Sequence, residues 1–97
     1  MIDLDPKHLE LTKSILAEHF PDCDVRAFGS RVTGKARVYS DLDVMITGDG
    51  ALDRRSIEAL KDAFSESDLP IMVDIVDGNA ISESFRRIIE SHCEVLC

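Results

Sequence analysis

The sequence predicts an α/β fold: a small mixed sheet of three strands, or slightly more, flanked by helices in the order α-β-α-β-α-β-α. Three observations predict it. Segments with apolar residues at helical spacing alternate with short runs of strand-like alternation. Gly, Pro, Asn and Asp punctuate the chain at short intervals. No repeat, linker or low-complexity tract interrupts this alternation, so residues 1–97 read as one domain.

The first helix is expected over 6–19, where Asp5 and Pro6 supply a cap and a first-turn residue and Leu9, Leu16 and Phe20 recur at helical spacing up to Pro21. Val25 to Phe28 is a short strand ending in Gly29-Ser30, followed by a short helix. Leu42, Val44 and Ile46 then alternate with Asp41, Asp43 and Met45 to make a second strand, closed by Gly48-Asp49-Gly50. Asp53 caps a long helix whose Ile57, Leu60 and Phe64 form one apolar stripe, and the polar stretch 65–68 with Pro70 ends it. The third strand, Ile71 to Val76, is apolar on both faces apart from Asp74, and is therefore expected at the centre of the sheet with both faces covered. Asp77-Gly78-Asn79 turns the chain, and Ser82 caps a last amphipathic helix, with Phe85, Ile88, Ile89 and His92 facing inward and Cys93 and Cys97 on its final turns.

Composition narrows the function. Eleven Lys plus Arg against 19 Asp plus Glu give a formal charge of −8, which disfavours free-standing nucleic-acid binding. A chain of 97 residues buries roughly 65% of its unfolded surface and has room for one core, so a large acceptor site is expected to be shared with a partner protein. Apolar runs never exceed three residues and the first ten residues have no apolar core, so neither a signal peptide nor a membrane span is expected. Cys23, Cys93 and Cys97 match neither a disulfide framework nor a zinc-binding pair, which points to a reducing cytoplasm. Metal chelation by His92, Cys93 and Cys97 is set aside, because cysteine packs readily as a small apolar residue.

The stretch from Gly29 to Asp43, GSRVTGKARVYSDLD, carries the chemistry. Gly29-Ser30 directly after a strand lets the backbone approach a ligand closely, with N–H groups and a hydroxyl available for phosphate oxygens. Asp41 and Asp43, two apart on a strand, point to one face. At about 5 Å and an effective dielectric of about 20 their repulsion is roughly 3 kcal/mol, which calls for a raised pKa or a cation between them. Oxygen-only ligands favour Mg²⁺ or Mn²⁺. Asp74, in the middle of an apolar strand, would be costly if buried alone. If its strand lies beside 42–47, Asp74 joins the same face and helps hold a second metal or accepts the proton of an attacking hydroxyl. Together these residues suit phosphoryl-type transfer.

Gly29-Ser30, Asp41-Leu42-Asp43 and the later Asp74 together resemble the signature of the polymerase-beta-type nucleotidyltransferases. AFGSR at 27–31 and SDLD at 40–43 are similar, more closely, to the minimal nucleotidyltransferases, the MntA-like antitoxins encoded beside a HEPN-domain toxin. The resemblance implies a nucleotidyltransferase fold, with Gly29 and Ser30 on the triphosphate of an NTP and Asp41, Asp43 and Asp74 as catalytic, metal-binding carboxylates for two Mg²⁺ ions. It implies transfer of NMP, AMP from ATP, to a hydroxyl with release of pyrophosphate. The acceptor it implies is a tyrosine of the HEPN partner. Two other readings stay open: a noncatalytic nucleotide-binding antitoxin that works by occlusion, and transfer to a small molecule.

Several residues carry two readings. Arg31, next to Ser30, is taken as nucleotide-binding, while Lys35 and Arg37 read equally as a triphosphate-steering patch or a solvated loop. Ser40 is a turn residue supporting Asp41. Asp74 could instead pair with Arg26, and Asp77, before Gly78, reads as a turn residue rather than the third acid. His8, His19 and His92 have packing or surface roles.

Overall fold

The structure, a computed structural model, describes residues 2–96. The elements in chain order are α1 (Pro6–His19), β1 (Asp24–Phe28), α2 (Ser30–Thr33), β2 (Leu42–Thr47), α3 (Arg54–Glu66), β3 (Val73–Asp77), α4 (Glu83–Ser91) and β4 (Glu94–Val95). The sheet is mixed and four-stranded in the order β3-β2-β1-β4. β1 pairs antiparallel with both β2 and β4, and β2 pairs parallel with β3 through the crossover helix α3.

Helix starts follow local chemistry. The Asp5 carboxylate accepts the Lys7 N–H at 2.9 Å, Asp53 does the same for Arg55 at 2.8 Å, and Ser82 Oγ accepts the Phe85 N–H at 3.1 Å. Strand alternation then divides the sheet's faces. Val25 and Ala27 of β1 and Leu42, Val44 and Ile46 of β2 are fully buried in a core with Ile15 and Leu16 of α1 and Leu60 and Phe64 of α3. On the opposite face lie Arg26, Phe28, Asp43, Met45 and Asp74. There the Phe28 ring meets Phe85 of α4 edge-on, with centroids 6.2 Å apart.

Three expectations are corrected. β3 is an edge strand rather than the central one: it begins at Val73, leaving Met72 outside the ladder and 75% exposed, and among the described residues its far side has no neighbouring strand. Asp74 is consequently exposed, so the burial cost expected for it does not arise.

The third correction is the C-terminal segment. α4 ends at Ser91, with His92 exposed at its C-cap, and β4 follows, so Cys93 lies between them rather than on a helix; Cys97 falls outside the described residues. Of the residues expected inward on that helix, only Ile89 is buried, whereas Phe85 is 40% and Ile88 68% exposed. Among the described residues, no helix is long and apolar enough to cross a membrane.

Candidate active site

The site lies at the end of the sheet where β1 leaves and β2 and β3 enter. β2 places Asp43 on the α4 face between Phe28, its antiparallel partner on β1, and Asp74, its parallel partner on β3. The two carboxylates are thus set side by side by ladder register. Asp41 lies just before β2 and is exposed, so it approaches from the loop rather than from the strand. Half-buried Asp43 has its pKa raised first by desolvation, then by the negative charges of Asp74 and Asp41.

Gly29 forms the facing wall. Its φ of 77° and ψ of −157° belong to a region that side chains other than hydrogen rarely adopt. A Cβ there would collide with Asp43 Oδ2 and stand 3.2 Å from Cγ. The Gly29 carbonyl accepts the N–H groups of Val32 and Thr33 at 3.0 and 3.1 Å, which starts the short α2. Ser30 is half-buried, and its hydroxyl makes no hydrogen bond among the described residues, so it is available to a ligand.

Arg31 does something other than the sequence suggests. It is 6% exposed, and its guanidinium donates to backbone carbonyls: Nε to Ser40 at 2.9 Å, Nη1 to Asp3 at 2.7 Å, and Nη2 to Val38 at 3.1 Å and Arg37 at 3.4 Å. A guanidinium committed in this way has no fork left for phosphate. Its role is to hold the loop that delivers Asp41. Ser40 supports the same loop, its Oγ accepting the Arg37 N–H at 2.8 Å, while the Lys35 and Arg37 side chains are exposed. Adjacency to Ser30 was the misleading signal; only the fold shows which carbonyls surround a side chain.

The rival partners of the acids fall away. Arg26 pairs with Asp24 at 2.8 Å rather than with Asp74. Asp77 is occupied at the other end of the strand, where its carboxylate accepts the N–H groups of Leu52 and Asn79, both at 2.9 Å. His19 bonds its own helix at the Ile15 carbonyl.

The donor set suits a hard divalent cation: carboxylate oxygens only, with mutual repulsion a cation would relieve. Among the described residues, no three acidic, histidine or cysteine side chains are already drawn together around an ion position. The backbone register sets Asp43 beside Asp74, and Asp41 stands on the exposed loop just before β2. Beside Asp74, an open groove of about 570 Å³ runs along the free edge of β3 between Lys61, Phe64, Leu69 and Met72.

Comparison with known proteins agrees with this fold. The model of the nucleotidyltransferase domain family matches residues 9–96. The chain is 50% identical over 88 residues to the probable protein adenylyltransferase MntA of Haemophilus influenzae, covering 91% of this chain and 77% of that protein. A toxin–antitoxin crystal structure with AMP-PNP superposes with a TM-score of 0.77 at 22% identity, over 92% of this chain and 72% of the other. A tri-AMPylated Shewanella oneidensis HEPN toxin in complex with its MNT antitoxin gives a TM-score of 0.66 at 21% identity, over 92% of this chain and 71% of the other. At those identities the solved structures speak to the fold alone, and the sequence relative carries the kinship further. With the family model running nearly from end to end and half of the aligned residues shared with a probable protein adenylyltransferase, the chain belongs to the nucleotidyltransferase domain family.

Proposed function

We propose that this protein is an adenylyltransferase antitoxin that moves AMP from ATP to a tyrosine hydroxyl of a HEPN-domain toxin in the cytoplasm. The observation that carries the reading is the Asp43–Asp74 register beside Gly29: two carboxylates held together next to a turn whose missing side chain keeps the space open. The identity to a probable protein adenylyltransferase supports the reaction type, and the AMPylated HEPN toxin bound to a fold relative supports the acceptor.

In this mechanism the Gly29-Ser30 turn receives the triphosphate, with backbone N–H groups and the free Ser30 hydroxyl on phosphate oxygens. Asp41, Asp43 and Asp74 would hold two Mg²⁺ ions, which supply Lewis-acid stabilisation of the charge developing on the phosphates. Asp74, exposed at the sheet edge, is placed to take the proton of the incoming hydroxyl at a carboxylate oxygen. Arg31 keeps the Asp41 loop in place, so the third carboxylate is positioned before the substrate arrives. Free thiols at Cys23 and Cys93 suit a reducing compartment.

The test mixes the purified protein, its HEPN partner, ATP and Mg²⁺ and measures the partner's intact mass. An AMP-sized increment that requires Asp41 and Asp43 supports the reading. A tight complex with no mass change would sink it in favour of occlusion.

A further inference from the structure

Tyr39 is the one tyrosine of the chain, and it is 87% exposed. It stands beside Val38, itself 79% exposed, at the tip of a turn in which the Ser40 N–H donates to the Arg37 carbonyl at 3.0 Å. That is the i to i+3 bond of a β-turn, with Val38 and Tyr39 as its two central residues. The turn is clamped from beneath by the Arg31 bonds to the carbonyls of 37, 38 and 40 and from the side by Ser40 Oγ. Two adjacent large apolar side chains in water are disfavoured. Here they crown a hydrogen-bonded turn, one residue ahead of Ser40-Asp41. The phenol is therefore presented rather than packed, two residues before Asp41 of a site whose acceptor, on the reading above, is a tyrosine hydroxyl.

We propose that Tyr39 is itself an acceptor, adenylylated by the active site of a second copy of this protein. In the step, Tyr39 Oη attacks the α-phosphorus of ATP and the Oη–P bond forms. The bond from the α-phosphorus to the bridging oxygen breaks, pyrophosphate leaves with that electron pair, and the phenolic proton passes to water or to a site carboxylate. The product is a tyrosyl phosphodiester of AMP, with no change of oxidation state. Transfer runs between copies because an in-line attack needs the reacting atoms about 3–3.5 Å apart. The Tyr39 ring is 87% exposed on a turn pinned by Arg31, so the phenol is open to the site of a second copy.

This inference rests on the adenylyltransferase reading, and the experiment separates the two. Full-length protein is incubated with ATP and Mg²⁺, alone and with the HEPN partner, and intact masses and peptide maps are recorded. The expected result is an AMP-sized increment on the protein alone, mapped to Tyr39, that grows faster with protein concentration and is lost in Tyr39→Phe. Tyr39→Phe, whose side chain makes no hydrogen bond among the described residues, should still modify the partner. In a mixture of Tyr39→Phe with an Asp41→Asn/Asp43→Asn variant, the label should appear on the aspartate variant alone. Modification of the partner without any increment on this protein overturns the inference and leaves the function standing. No increment on either protein overturns both. An increment that persists in Tyr39→Phe, or a mixture in which the aspartate variant stays unlabelled, also overturns it.

Discussion

Gly29 lies against the carboxylate of Asp43 with no room for a side chain between them. A Cβ on the glycine would meet Asp43 Oδ2 head-on, and the glycine's φ of 77° already disfavours any L-residue. The Gly29 turn and the Asp43 carboxylate are thus two sides of one small space, and a side chain added at the turn must displace the acid.

Gly29→Ala is therefore expected to act twice. Backbone strain and displacement of Asp43 should cost about 1–3 kcal/mol of stability, read from urea denaturation. Transfer should fall by more than about a hundredfold, because even a 1 Å misplacement can cost that much. A variant with wild-type transfer would show that the turn does not border the reacting phosphate.

Asp43→Asn should separate stability from activity. The folded pKa of Asp43 is raised by desolvation, Asp74 and Asp41, so its ionised form opposes folding. A raised folded pKa means stability is fully present below the unfolded value of about 3.9 and is lost as pH rises through the folded value. Without divalent ions, the Asn variant should melt higher than wild type at pH 7, and the two should converge in acid. Transfer should drop more than about a hundredfold, since losing even an outer-shell support of a metal ligand costs about 10–100-fold. Equal melting at pH 7 would remove the electrostatic account.

Arg31→Ala strips one buried guanidinium from four carbonyls and should destabilise the protein by roughly 3 kcal/mol. Arg31→Lys, whose point charge cannot span the same fork, should recover only part of this. Steady-state kinetics of the Lys variant should show kcat falling with the KM for ATP nearly unchanged, because Arg31 positions Asp41 and does not touch phosphate. A rise in KM at constant kcat would restore it to the nucleotide.

Divalent ions should stabilise the protein as well as activate it. Mg²⁺ at about 100 times its dissociation constant should add about 2.7 kcal/mol of stability, and EDTA should reverse this while circular dichroism shows the fold retained. An Asp43→Asn/Asp74→Asn variant should lose the Mg²⁺-dependent shift. If its melting temperature still rose with Mg²⁺ as the wild type's does, the ion would be bound elsewhere.

How far the sequence could be read depended on the range of the interaction. Asp5, Asp53 and Ser82 cap their helices where a local hydrogen bond predicts, and the alternation of Leu42, Val44 and Ile46 puts those three in the core. The same period of two assigns Asp43 to the opposite face, and Asp74 joins it once the strands lie side by side. The two-residue β4 left no legible trace, because Glu94-Val95 is too short to show a period and follows a helical pattern directly.

By itself, then, the sequence determined the helix starts and which residues of β1 and β2 face the core, because caps and alternation are settled within a few residues. Only the tertiary structure decided that β3 is an edge, that Asp74 meets solvent, that Arg31 serves the loop carbonyls and that Tyr39 stands at a turn tip. Each of these depends on which distant backbone comes alongside, and non-local packing sets that where local propensity cannot.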